Sequence, residues 1–226
     1  MSMKFFEILQ NETNAERAEL LAAPLITDAL AGHITLDDYA AFLGQAYHHV
    51  KHTVPLLMAV GARLPERYEW LREAVAEYIE EEIGHQEWIL NDIAACGFDK
   101  EAVRASTPAL ATELMVSYAY DTVQRVNPLG FFGMVHVLEG TSIAVADNAA
   151  DTVRQALDLP KKAFSYLYSH GSLDIEHVKF FENLMNRIED SVDQEQIIHS
   201  ARVFYRLYGD VFRSIKPASV QSRAAA

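Results

Sequence analysis

The stretch Ser169-His170-Gly171-Ser172-Leu173-Asp174-Ile175-Glu176-His177 decides how the rest of the chain reads. At about 100° per residue, a helix brings positions i, i+4 and i+7 within an arc of roughly 60°. His170, Asp174 and His177 therefore stack along two turns of one helical face. Leu173, Val178, Phe180, Phe181 and Leu184 lie on and around that face and direct it inward. Two imidazoles and a carboxylate on an inward face need partners, because an unpaired buried charge is costly. A divalent transition metal is one such partner, since neutral imidazole and carboxylate both ligate it. His170 and His177 are about 10 Å apart along the axis, a span that suits two ions better than one. A solvated face carrying two unrelated histidines is the competing reading.

Working outward, the 226 residues are 50% hydrophobic, enough to bury one good core. A formal net charge of −13 argues against nucleic acid or an anionic membrane surface as partner. No run of apolar residues approaches the ~18 of a membrane span, so a soluble protein is expected. Met1 to Asn11 has one lysine and no long apolar core, unlike a signal peptide. The single cysteine, Cys96, excludes an internal disulfide and fits a reducing cytoplasm. Nine histidines beside nineteen Lys and Arg is a high ratio that makes metal or acid–base chemistry worth seeking.

Every long segment has helical character, and hairpin signals are absent. Thr13 to Ala31 reads as a helix stopped by Gly32, and Thr35 caps a second that runs to about Val60. Pro55 should kink that second helix one turn from its end. Pro65 opens a third, continuous to Cys96. Further helices fall near 108–126, 128–157, 161–190 (broken around Ser169–Gly171) and 194–215. The expectation is one all-α domain of about seven helices over residues 1–216, with a flexible tail over 217–226.

Three more stretches carry chemistry. In Glu80-Glu81-Glu82-Ile83-Gly84-His85, Glu82 and His85 are i,i+3 neighbours, as in the Glu-x-x-His pairs of di-iron bundles. Glu81 competes from i,i+4, and a solvated acidic face is the plain alternative. The flanks Ile79, Ile83, Trp88, Ile89 and Ile93 mark the buried side and favour Glu82. In Phe131-Phe132-Gly133-Met134-Val135-His136-Val137-Leu138-Glu139, Glu139 is a carboxylate within a strongly apolar run, and glutamate is rarely buried unpaired. A hydrogen-bonded core glutamate is the competing reading. His136, one turn earlier, is a weaker ligand candidate, and equally a supporting donor or a packed core histidine. In Tyr47-His48-His49-Val50-Lys51-His52, His48 and His52 share a face with no carboxylate near in sequence. They read as pocket residues or as a surface turn. Phe42, Tyr47, Phe131, Phe132 and Tyr166 are pocket-lining candidates from apolar periodicity.

The ordered set Glu82-x-x-His85, Glu139, His170-x-x-x-Asp174-x-x-His177 resembles the haem-oxygenase-like di-iron oxidases and oxygenases. These sit in a superfamily with the TenA thiaminases and the pyrroloquinoline-quinone synthase PqqC, and the likeness runs from about Glu7 to Ile215. In some relatives the first carboxylate stands seven residues before the histidine, where this chain has Tyr78. The resemblance implies a seven-helix haem-oxygenase-like bundle in which Glu82, His85, Glu139, His170, Asp174 and His177 hold two iron ions, with manganese an option at one position. It implies O2-dependent oxidation of a small organic molecule, often a carboxylic or amino acid. The expected partners are that substrate and O2, without nucleic acid or membrane, in a cytoplasmic homodimer. Tyr47, His48, His52, Tyr78, Phe132 and His136 are the candidates around the pocket.

The superfamily also supplies alternatives: a cofactorless PqqC-like oxidase, a TenA-like thiamine-salvage hydrolase, or a non-catalytic interaction protein. The TenA nucleophile lies near where Glu139 stands, whereas Cys96 precedes a helix-ending glycine. A haem oxygenase carries its axial histidine on the first helix, and the first histidine here is His33.

Overall fold

The structure, a computed structural model, describes residues 3–172 and 174–215, the side chains of 170–177 excepted. The expected 217–226 tail lies outside these residues. Thirteen α-helical segments are present among the described residues, and no strand. Three of the seven expected helices are each split in two and two short helices are added, while the break expected around Ser169–Gly171 is not found, because residues 165–172 are continuously helical. Each split has a local cause.

The helix expected over Thr13–Ala31 is α2 (Asn14–Leu21) and α3 (Pro24–Ala31), preceded by α1 (Phe5–Glu12). Pro24 occupies the first position of α3, where its missing N–H costs nothing. The second expected helix is α4 (Leu36–Val50) and α5 (Thr53–Arg63). Thr35 caps α4 by accepting from the Asp38 N–H at 3.2 Å, while the Asp38 carboxylate accepts from the Thr35 N–H at 3.1 Å. Pro55 does not kink a continuous helix near its end. It sits in the first turn of α5, after a break at Lys51–His52.

The third expected helix is α6 (Glu69–Glu82) and α7 (His85–Ala95), parted by Ile83 and Gly84. Gly84 has φ +97°, a left-handed conformation that glycine adopts without strain. Ile83 swings out with the break and is 63% exposed, so it does not mark the buried side, and Trp88 is also exposed. A short α8 (Lys100–Ala105) follows, capped by the Asp99 carboxylate accepting from the Glu101 N–H at 2.9 Å.

The chain continues as α9 (Leu110–Asp121) and, after a π turn over Thr122–Val126, α10 (Phe131–Ala156). Then come α11 (Ser165–Ser172), α12 (Asp174–Met185) and α13 (Ser191–Ser214), while Leu173 lies outside the described residues. α10 is the centre of the bundle and packs on α13, α11, α3 and α2. Around it α4 pairs with α7, α5 with α6, and α9 with α13. The α10–α13 approach requires Gly133, since a Cβ there would stand 2.6 Å from the Ala201 backbone nitrogen.

This central helix corrects one expectation. Pro128–Ala156, 29 residues with mean hydropathy 1.5 in its most apolar window, is long and apolar enough to cross a membrane. Over that window 56% is buried inside the protein, where its apolar side chains form the core.

Candidate functional site

The last turn of α6 ends on Glu82 and the first turn of α7 begins on His85. The pair is therefore held across a helix break and not along one helix. It remains close: His85 Nδ1 is 3.0 Å from Glu82 Oε2. His85 is buried and stacks on Trp88 with ring centroids 4.2 Å apart. Glu82 is half-buried and Glu81 is exposed.

Glu139, on α10, lines the same cavity as Glu82, of about 80 Å³. The wall between them is largely apolar, with Val50, Leu57, Phe131, Met134 and Leu138. Among the described residues neither lysine nor arginine lines it. The remaining polar groups are the hydroxyls of Tyr78, Tyr166, Tyr208, Thr53 and Ser142. The Tyr78 hydroxyl is buried and has no hydrogen-bond partner among the described residues. Burial, and then the charges of Glu139, Glu81 and Glu82, push its pKa far above the phenol range. Tyr166 is shifted the same way by burial, Tyr208 and Glu82. Both phenols therefore stay protonated and can only donate to an anion. Two carboxylates on one largely apolar cavity, with an imidazole 3.0 Å from the first, are donor types that fit a divalent metal.

The side chains of His170, Asp174 and His177 lie outside the described residues, and only the helices that carry them are described. The start of α11 is fixed by Asp92, which is fully buried on α7. Its carboxylate accepts from the N–H and hydroxyl of Ser165 and from the Tyr166 N–H. Just upstream, the Tyr39 hydroxyl donates to the Ala163 carbonyl at 2.8 Å. α12 comes against α6 through Phe180, whose ring is 5.6 Å from that of Tyr78. Tyr78 lies one turn before Glu82, so α12 passes beside the carboxylate cavity. Among the described residues no three His, Cys, Asp or Glu gather as a metal-binding group.

The other candidates fall elsewhere. His48 contacts the Ser106 hydroxyl at 2.9 Å, and Lys51 Nζ donates to its Nδ1 at 3.2 Å. Burial, Lys51 and His52 push its pKa down to about 4. His52 Nδ1 is 3.1 Å from the Tyr120 hydroxyl on α9, and its pKa is lowered by burial and Lys51. Tyr47 packs against His48, and Phe132 is buried in the core. None of the four lines the carboxylate cavity. Phe42 lines a neighbouring apolar cavity that shares Ser142, Tyr166 and Tyr208 with it.

His136 packs among Phe6, Phe181 and Tyr205, with Nε2 3.3 Å from the Thr13 hydroxyl. That hydroxyl donates to the Leu9 carbonyl, so Nε2–H is the donor toward Thr13 and is not available to a metal. Cys96 is buried at the end of α7, and burial and then Asp92 push its thiol up to about 11, the wrong direction for a nucleophile. Sequence reasoning missed Tyr208 and His49, whose rings meet at 5.7 Å. Tyr208 was findable: it belongs to the apolar stripe Ala201, Phe204, Tyr205, Tyr208, Val211, Phe212 on α13.

Comparison with known proteins gives a family and a fold. The family described as iron-containing redox enzymes matches residues 40–209, which include the span from Glu82 to His177. The fold is similar to a domain of unknown function with a haem-oxygenase-like fold from Shewanella denitrificans OS217, with TM-score 0.82 and 23% identity over 95% of this chain and 93% of that one. A TenA homologue from Pseudomonas syringae pv. tomato DC3000 superposes with TM-score 0.76 and 13% identity, covering 93% and 91%. Haem oxygenase from Leptospira interrogans gives 0.73 and 18%, covering 94% and 100%. These likenesses establish the haem-oxygenase-like fold. No curated protein matches the sequence.

Proposed function

The chain belongs to the iron-containing redox enzyme family, and from that premise we propose that it is a non-haem, O2-dependent oxidoreductase with a paired iron site. The observation that carries this reading is the convergence of Glu82 and Glu139, from α6 and α10, on one cavity. His85 lies 3.0 Å from the first of them. Glu82, His85 and Glu139, together with His170, Asp174 and His177, would hold about two iron ions, with manganese an alternative in one position. When bound, iron supplies the electrons and the open coordination positions that O2 chemistry requires.

This chain's own residues do the rest. Val50, Leu57, Met134 and Leu138 give the carboxylates an apolar wall, which strengthens charge interactions beside it. Tyr78, Tyr166 and Tyr208 present protonated hydroxyls that can orient an anionic or oxygen-bearing group in the cavity. The substrate is a small organic molecule. A haem site is disfavoured because His33, the first histidine of the chain, is exposed and follows α3. The expected assembly is a homodimer acting in the cytoplasm.

The test is metal content. Protein loaded anaerobically with Fe(II) should bind about two ions per chain, and His170→Ala or Asp174→Ala should lose most of one or both. Wild-type protein that ignores iron and binds a single zinc tightly would refute the paired site.

A further inference from the structure

A second and larger cavity, of about 380 Å³, opens on the other side of Glu139, between α1, α2, α10, α12 and α13. That volume lies in the range of small-molecule sites. Its mouth carries the carboxamides of Gln10, Asn11 and Asn14, all exposed, and the half-buried guanidinium of Arg17. Its floor is aromatic and apolar: Phe6 and Phe181 meet edge to face at 6.0 Å, beside buried Tyr205 and half-buried Val178. The cavity thus runs from a polar, cationic rim to an apolar base.

Arg17 is the cationic member. In a chain with 32 acids against 19 Lys and Arg, an arginine has no shortage of partners. Arg67, Arg104, Arg125, Arg202, Arg206 and Arg213 each hold a carboxylate. Arg17, like Arg63, holds none among the described residues, and it is Arg17 that lines the cavity. Its charge reaches the base of the site, where it adds to burial in keeping His136 neutral. Arg17 is therefore the only Lys, Arg or His that brings a positive charge to this cavity among its described lining residues.

We infer that this cavity is a binding site for a small amphipathic monocarboxylate, with its anion on Arg17 and the Asn14 and Gln10 amides and its apolar body against Phe6 and Phe181. Arginine is suited to the task because its planar fork donates to both oxygens of a carboxylate. The site does not depend on the iron reading, although Glu139 forms part of both walls.

The experiment uses metal-free, full-length protein, so its failure and that of the iron reading are separable. Phenylacetate and hexanoate are titrated calorimetrically against wild type, Arg17→Gln and Arg17→Lys, with phenylacetamide as the uncharged control. Saturable binding of about one acid per chain is expected. Affinity should fall about tenfold or more in Arg17→Gln and for the amide, with partial recovery in Arg17→Lys. The inference is overturned if neither acid binds at millimolar concentration, if Arg17→Gln binds as well as wild type, or if the amide binds as well as the acid. Circular dichroism checks that the variants are folded. Should Arg17→Gln not fold, the acid–amide comparison in wild type and Arg17→Lys decides the question.

Discussion

Asp92, buried on α7, caps α11 by accepting the backbone N–H of Ser165 at 3.0 Å, 73 residues away in sequence. The same carboxylate takes the Ser165 hydroxyl and the Tyr166 N–H, so it satisfies donors that the helix start itself leaves unpaired. Because α11 carries His170, the cap also fixes the start of the helix on which that residue lies. Asp92→Ala should leave two buried N–H groups without acceptors and cost on the order of 2–3 kcal/mol in urea denaturation. Asp92→Asn retains one accepting oxygen and should cost less. Equal stability in wild type and Asp92→Ala would show that water replaces the cap.

Gly84 permits the turn that places Glu82 against His85. At φ +97° an alanine is strained, although its Cβ would meet nothing within 4 Å, so the penalty comes from backbone conformation and not from a clash. Gly84→Ala should lower stability by about 1–2 kcal/mol and weaken iron binding in the same protein. Gly84→Asn, which tolerates left-handed geometry better, should lie between the two. Thermal melts and Fe(II) titration read both effects, and unchanged values for Gly84→Ala would disconnect the turn from the site.

How much of this was legible in the sequence depends on the range of the interaction. Helical identity was readable because apolar spacing is local, and Glu139 stood out as a lone carboxylate among apolar residues. The breaks were not readable with the same ease. Lys51–His52 interrupts a run with good helical pattern, and Ile83 looked like a core residue until Gly84 turned it outward. His48 and His52 share a face by spacing, but spacing does not say which neighbour that face meets. Here the neighbours are Ser106 and Tyr120. Nothing local announces that Asp92 serves a helix 73 positions later.

His136 sets an acid limit on stability. Burial, followed by the charge of Arg17, pushes its pKa down to about 4 from an ordinary value near 6.5. The native state therefore favours the neutral ring, and its contribution is present above about pH 6.5 and lost as pH falls through about 4. His136→Gln should remove up to about 3 kcal/mol of the pH-dependent change across that window. His48, lowered to about 4 as well, keeps part of the slope in the variant. Parallel pH profiles of unfolding free energy for wild type and His136→Gln would contradict the assignment.

Cys96 should behave as a small buried hydrophobe. With its thiol pushed up to about 11, little thiolate exists at pH 8, and native protein should react slowly with iodoacetamide. Cys96→Ala should keep activity and lose roughly 1 kcal/mol of stability. Rapid alkylation of folded protein, or loss of activity in folded Cys96→Ala, would revive the thiol-hydrolase alternative.

Glu139 offers the sharpest division between the two cavities, because it lines both. As a metal ligand, its loss should matter at least as much as that of a residue supporting a ligand, about 10- to 100-fold in metal affinity. Glu139→Ala should therefore bind iron more weakly than wild type. It should also lose the O2-dependent absorbance change expected when air is admitted to the Fe(II)-loaded enzyme. Glu139→Gln, which keeps the shape but not the charge, should share both defects and so rule out a simple cavity effect. Toward an organic acid the sign reverses, since Glu139 places negative charge in the wall of a site whose ligand is an anion. Iron-free Glu139→Ala should bind phenylacetate at least as tightly as wild type. If the variant binds iron and responds to O2 normally, Glu139 is not a ligand and the paired-carboxylate site is wrong. If instead phenylacetate binding to the iron-free variant collapses, Glu139 itself holds the acid and the assignment of its anion to Arg17 is wrong.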